Sequence, residues 1–362
     1  MLDVFLTSAY GPAAAVAHAV AAERAGMGGV WLAEHHFVAY GQCPSATVLA
    51  GHILAGTRRI TVGTAACVLG SRHPVALGEE AALLHALAGD RFQLGVARGG
   101  PWQEVAILGR GVEHYRQGFA ESLEVLLRWL SGAAAVGADG EFHRFGPLAV
   151  VPRPDRPVPV RVAVTSGDTA ELAGRHGLPL LLGVHADDAE TAALVDRWAQ
   201  AAAAHGHDPV GVDHARVRLA YPCADRATGE RELRERLPRW LAGIRAAVPV
   251  SGAPPGRDLD AHVEHLLRIQ PVGPPAEVAA ALAHSVTETG VSRHLCMVEA
   301  AGSPGPPPTS SSPSLPSPQP GPLRLAPPSP PRSRAPILRE LWVRHALSGH
   351  IPNSSRKIDA LG

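Results

Sequence analysis

The most constraining feature of this chain is a rhythm. Eight short apolar runs, Leu2–Leu6, Val30–Ala33, Ile60–Ala66, Phe92–Val96, Val160–Val164, Leu178–Leu182, Val217–Tyr221 and His294–Val298, alternate with stretches of helical spacing. The helical stretches include Pro12–Gly26, Ser45–Ala55, Pro74–Ala88, Val112–Leu130, Thr169–His176, Ala186–His205, Glu230–Ala247 and Pro275–Thr289. Runs that stay apolar at consecutive positions belong to strands covered on both faces, which is the condition of a parallel sheet wrapped by crossover helices. An open doubly wound sheet would show a glycine fingerprint after its first strand, but that turn reads Thr7-Ser8-Ala9-Tyr10-Gly11-Pro12. Eight strands, each but the last followed by a helix, therefore predict an α/β fold, a single (β/α)₈ TIM barrel over residues 1–300. Val136–Val151, with Gly140, Gly146 and Pro147, reads as a hairpin-type insertion after the fourth helix.

Beyond the barrel the material changes. Fourteen of the chain's 34 prolines fall between positions 303 and 336, and no acidic residue occurs from Ala300 to Arg339. Repeated proline forbids helix and strand interiors, so 301–336 is expected to be a disordered Pro/Ser-rich segment. Residues 337–362 are expected to form a short helix, with Ile337, Leu338, Leu341 and Leu347 as its stripe, and a tail.

Lys+Arg and Asp+Glu both number 33, and the arginines are scattered, which argues against a nucleic-acid partner. The four cysteines form no CxxC pair, so neither a structural zinc site nor a disulfide framework is expected. No apolar stretch reaches the ~18–20 residues of a membrane span, and Met1–Tyr10 lacks the basic start of a signal peptide. The expectation is a cytoplasmic protein with no membrane partner.

In such a barrel the chemistry gathers at the C-terminal strand ends. Strand two ends in Glu34-His35-His36; alternation puts Glu34 and His36 on one face and His35 on the other. A histidine there suits proton delivery; a buried hydrogen-bonded pair is the plainer alternative. Metal binding is not expected, because adjacent histidines do not readily chelate one ion and no HExxH follows. Thr165-Ser166-Gly167-Asp168-Thr169 opens the fifth helix, where Ser166 and Thr169 can either cap the helix or join its free N–H groups around a phosphate. Arg98, beside Gly99-Gly100, suits an anionic ligand or a surface ion pair. Cys43 and Cys67 read as core residues, and His185, His262 and His265 as solvated positions.

Taken together, these blocks resemble the bacterial luciferase-like, flavin-dependent monooxygenases. The similarity runs from Leu2 to about Glu299. It is carried by Ala22-Glu23-Arg24-Ala25-Gly26, Val30-Trp31-Leu32-Ala33-Glu34-His35-His36-Phe37, Ile60-Thr61-Val62-Gly63-Thr64-Ala65-Ala66, His73-Pro74, Gly89-Asp90-Arg91-Phe92-Gln93-Leu94-Gly95-Val96-Ala97-Arg98-Gly99 and Ser166-Gly167-Asp168-Thr169-Ala170-Glu171. The resemblance implies reduced FMN (FMNH2), or in one branch a deazaflavin coenzyme, at the strand C-termini. It implies a catalytic role for His35, with Glu34 or His36 orienting it, and a non-prolyl cis peptide at Ala65-Ala66 behind the flavin ring. Arg98, Thr165, Ser166 and Thr169 match the phosphate surroundings. Two departures stand out: Ala97 replaces a reactive cysteine, and Gly183 replaces a phosphate-contacting serine.

The implied activity is a monooxygenase that uses FMNH2 and O2 through a flavin 4a-hydroperoxide to oxygenate a small organic substrate, such as a secondary metabolite. A separate flavin reductase would supply the reduced flavin, and a homodimer would form through Ser45–Ala55 and Pro74–Ala88. The alternatives are a deazaflavin-dependent hydride-transfer oxidoreductase and a non-catalytic flavin-binding paralogue.

Overall fold

The computed structural model describes residues 1–38, 41–100, 102–246 and 258–299. The strands are β1 Leu2–Leu6, β2 Gly29–Leu32, β3 Thr61–Thr64, β4 Phe92–Ala97, β5 Val160–Val164, β6 Leu180–Leu182, β7 Ala215–Arg218 and β8 Arg293–Met297. All pair in parallel in the order β3-β2-β1-β8-β7-β6-β5-β4, and β4 returns to β3, so the barrel closes. The helices around it are α1 Pro12–Arg24, α2 Ala46–Gly56, α3 Pro74–Ala88, α4 Gly111–Leu130, α5 Gly167–Arg175, α6 Asp188–Ala204, α7 Arg226–Ala246, α8 Leu259–Ile269 and α9 Pro275–Thr289. The expected insertion is an antiparallel hairpin, Ala135–Asp139 with Arg144–Ala149, between α4 and β5.

Two-residue alternation divides the strand side chains. Val4, Leu6, Val30, Leu32, Val62, Leu94, Val96, Val162 and Leu182 pack outward with the helices. Phe5, Trp31, Leu181, Val217, Leu295 and Met297 belong to a second cluster inside the barrel. Trp31 is fully buried there because Gly63 leaves room: a Cβ at Gly63 would overlap the indole. Below it lies an ionic plug. Asp3 accepts from Trp31 Nε1 at 2.8 Å and from Arg293 Nη1 at 2.7 Å, while Arg161 Nη2 meets Asp213 at 2.6 Å. The lower end of the barrel is thus sealed, which leaves the C-terminal mouth for a ligand.

One expectation changes in detail. The run Val217–Tyr221 is not one strand: β7 starts at Ala215, Leu219 N turns to Gln270 Oε1 at 3.1 Å, and Tyr221–Pro222 pairs instead with Val272–Gly273. A short helix, Trp102–Ile107, follows β4. Asp258 caps α8, accepting from Asp260 N at 3.0 Å and Ala261 N at 3.2 Å; positions 247–257 lie outside the described residues. The expected disordered segment 301–336 and the expected helix and tail of 337–362 also lie outside the described residues. Among the described residues no helix is long and apolar enough to cross a membrane.

Candidate active site at the barrel mouth

The inward positions at the strand ends surround a cavity of about 280 Å³. Thr7, His35, Ala65, Ala163, Thr165 and Gly183 line it together with Phe5, Leu181, Val217 and Met297. Ala65, Ala163 and Gly183 are small, so a flat ligand can approach the backbone closely there. The Ala65-Ala66 peptide is cis, as the resemblance implies.

The triplet after β2 splits as alternation requires. His35 lines the cavity, its backbone N donates to Cys43 O at 2.9 Å, and its ring occupies the space that a Cβ on Gly41 would need. Burial, opposed by the nearby Glu34 carboxylate, lowers its pKa to about 4. The imidazole is therefore neutral near pH 7. Glu34 points the other way and is fully buried. Its Oε1 accepts from Val68 N at 3.0 Å, and its Oε2 accepts from Ala46 N at 3.0 Å and Arg72 Nη2 at 3.1 Å. His36 Nε2 lies 3.8 Å from Glu34 Oε1. Burial works to raise the Glu34 pKa, but His36, Arg72 and the two backbone N–H groups outweigh it and hold the carboxyl below its ordinary range.

Of the three candidates only His35 lines the cavity. Glu34 ties the start of α2 to the segment that follows Ala65-Ala66, and His36 completes that network. His36 N also donates to Glu104 Oε1 at 3.3 Å. Glu104, on the short helix after β4, escaped the sequence reading; it is buried, its pKa is raised by that burial, and its Oε2 has no partner among the described residues.

The anion end is assembled from β4 and α5. Ser166 caps α5, accepting from Thr169 N at 3.4 Å, and its Oγ lies 3.1 Å from Thr169 Oγ1. Arg98 Nη2 donates to Thr169 Oγ1 at 3.3 Å, and its guanidinium sits 5.6 Å from the Phe119 ring centroid. Arg98 Nε is buried with no hydrogen-bond partner among the described residues. A buried guanidinium N–H left unmatched costs free energy unless an acceptor fills it. Ser166 and Thr165 are exposed, so an anion can reach the helix N-terminus. These residues fit a phosphate-bearing flavin: Arg98, Ser166 and Thr169 would hold its phosphate, and the small residues Ala65, Ala163 and Gly183 would leave room for its ring.

The histidines expected to be solvated are not. His185 lines the cavity, with its Nδ1 at 3.0 Å from His262 Nε2, and His265 is buried. Asp187 forms a capping box with Glu190, and Asp188 pairs with the buried Arg216 and Arg218. A sequence signal existed in the position of His185, two residues past Gly183, but its contacts come from α8, which pattern alone did not reveal. Cys43 and Cys67 are buried as expected, and burial pushes the Cys43 thiol up to about 11.

Residues 3–293 match the sequence profile of the luciferase-like monooxygenases. The chain belongs to that family. The luciferase-like chain is 29% identical over 301 residues to an alkanal monooxygenase alpha chain of Photorhabdus luminescens, covering 77% of this chain and 83% of the relative. Its fold is similar to that of a monooxygenase from Streptomyces bottropensis, with a TM-score of 0.75 at 23% identity over 96% of this chain and 98% of the other. It is also similar to an F420-dependent secondary alcohol dehydrogenase, with a TM-score of 0.69 at 19% identity over 82% and 92% of the two chains. The superfamily contains both FMN monooxygenases and F420-dependent enzymes.

Proposed function

We propose that this luciferase-like chain is an FMN-dependent monooxygenase that inserts oxygen from O2 into a small organic substrate. The observation that carries the reading is the set of Arg98, Ser166 and Thr169 at the head of α5, with an unmatched buried Arg98 N–H, beside a cavity floored by Ala65, Ala163 and Gly183. Reduced FMN, when bound, supplies the electrons that activate O2. The protein's own work is then definite. Arg98 and the α5 N-terminus hold the phosphate. Apolar walls from Phe5, Leu181, Val217 and Met297 exclude water. His35, kept neutral by burial, holds or passes a proton at the imidazole facing the cavity, and Glu34 fixes the backbone on which the ring rests.

A separate reductase supplies the FMNH2. The outer faces of α2 and α3, where Val48, Leu83 and Leu87 are exposed, pair two copies into a homodimer. The likeness to the F420-dependent dehydrogenase supports a second reading, in which a deazaflavin occupies the same floor and hydride transfer replaces oxygenation.

The test mixes anaerobic FMNH2 with the protein and then admits O2, measuring flavin reoxidation and H2O2 release. The wild type is expected to alter both relative to free flavin, and His35→Ala is expected to release H2O2 faster. Identical traces for the wild type and His35→Ala overturn the role of His35. Binding of F420 without binding of FMN overturns the cofactor.

A further inference from the structure

The first two turns of α5 hold two carboxylates that work against an anion at the helix head. Asp168 and Glu171 suit the positive end of the helix dipole, yet each repels a phosphate brought to the same place. Both are met by one cation from the neighbouring helix. Arg197 of α6 puts Nη2 3.1 Å from Asp168 Oδ1 and 3.2 Å from Glu171 Oε2, and Arg175 holds the other oxygen of Glu171 at 3.0 Å. The rest of the Arg197 guanidinium lies against Gly167, the first residue of α5. A Cβ there would stand 2.5 Å from Nη1 and 2.9 Å from Cζ. Gly167 is not in the left-handed region, so its backbone does not call for glycine. What calls for it is the close approach of Arg197.

We infer that Arg197 is a specificity-determining residue of the cofactor site: it keeps the head of α5 open to an anion, and so sets how far the pocket prefers a flavin that carries a phosphate over one that does not. The charge balance leads there. Asp168 and Glu171 are negative, Arg175 and Arg197 are positive, and these four side chains cancel. The charge of Arg98, which reaches Thr169 Oγ1 at 3.3 Å, then stands as the surplus that an anion meets. Without Arg197 that surplus is itself cancelled, and a phosphate finds only the helix dipole and the first N–H groups of α5. Water moderates the effect: Arg197 is 50% exposed and Asp168 88%, so the expected change is several-fold and not the hundredfold of a buried pair. The inference rests on the flavin reading in one respect, that the phosphate sits at Arg98, Ser166 and Thr169. Arg197 acts on that end alone and leaves the ring pocket as it is.

The test titrates the full chain with FMN and with riboflavin by fluorescence and takes the ratio of the two affinities. Arg197→Met is expected to lower the FMN preference about fivefold with riboflavin affinity unchanged. Gly167→Ala keeps every charge and a helix-compatible backbone but pushes the end of Arg197 aside, and should lose a smaller part of the preference. Asp168→Asn added to Arg197→Met withdraws one of the repelling carboxylates and should restore part of it. A wild-type preference that survives Arg197→Met with native circular dichroism overturns the role of Arg197 and leaves the phosphate site standing, and a double variant no better than Arg197→Met overturns the electrostatic argument. Equal binding of the two ligands by the wild type overturns the phosphate reading itself and this inference with it.

Discussion

Glu34→Gln puts the central positioning network to a quantitative test. The substitution keeps the shape of the side chain, removes its charge and turns an NH2 group toward one of the N–H donors of Val68 or Ala46, which lie 3.0 Å from the carboxylate oxygens. Removing one partner of a buried ion pair typically costs about 3–5 kcal/mol. Here Arg72 is 18% exposed and retains Glu80 at 2.8 Å, so it is not stranded, and the expected loss is smaller, about 2–3 kcal/mol. That lowers the folded-to-unfolded ratio roughly 30- to 150-fold. Urea unfolding followed by far-UV circular dichroism measures it. The Glu34 carboxyl has a pKa below its ordinary value in the folded state. Its contribution is therefore complete above the unfolded pKa of about 4.3 and disappears as pH falls through the folded value. The gap between wild type and variant should be full at pH 7 and should close below about pH 4. Because Glu34 holds the segment just after Ala65-Ala66, FMN affinity should fall as well. A variant within about 0.5 kcal/mol of wild type at pH 7, with FMN affinity intact, refutes the positioning role.

Asp188→Asn withdraws the one carboxylate that serves both Arg216 and Arg218, which are buried, and should cost about 2–4 kcal/mol in chemical unfolding, allowing for the partial exposure of Asp188. Gly63→Ala forces a Cβ into the Trp31 indole and should destabilise the barrel by about 1–3 kcal/mol, read as a lower Tm with a disturbed tryptophan spectrum. Burial, the largest cause in each case, lowers His35, His143, His214 and His294 to about 4. The unfolded chain then binds protons that the folded one refuses, so stability should begin to fall as pH drops below about 6.5 and keep falling toward 4; a flat unfolding free energy from pH 7 to 5 contradicts this. In the native protein a thiol reagent should modify Cys223, which is partly exposed, ahead of Cys43, Cys67 and Cys296, which are buried.

The barrel was legible because its strands are buried on both faces, which writes eight apolar runs into the chain whatever the loops do. The alternation that sends His35 inward and Glu34 outward follows from the two-residue period alone. The meeting of Arg98, Ser166 and Thr169 was legible because Ser166 and Thr169 sit at fixed spacing in one helix start, while Arg98 ends its own strand. The His185 wall was not legible in the same way. Its partners His262 and His265 lie 77 and 80 positions away on α8, a helix that begins just after an irregular Gly/Pro-rich stretch and whose apolar stripe of Val263, Leu266 and Leu267 is short. Glu104 was hidden for a related reason: the six-residue helix that carries it is too brief to show a period. The division of Val217–Tyr221 also escaped, because it depends on Gln270, which takes a backbone hydrogen bond that the sheet would otherwise make.

The most direct test of the proposed flavin pocket is a comparative fluorescence titration of FMN and riboflavin against the wild type and a variant combining Arg98→Ala with Ser166→Ala. The two ligands share a ring and differ in the phosphate. The wild type should bind FMN at least about tenfold more tightly than riboflavin, and the double variant should bind the two alike. Equal affinities in the wild type, or a phosphate preference that survives both substitutions, would contradict it.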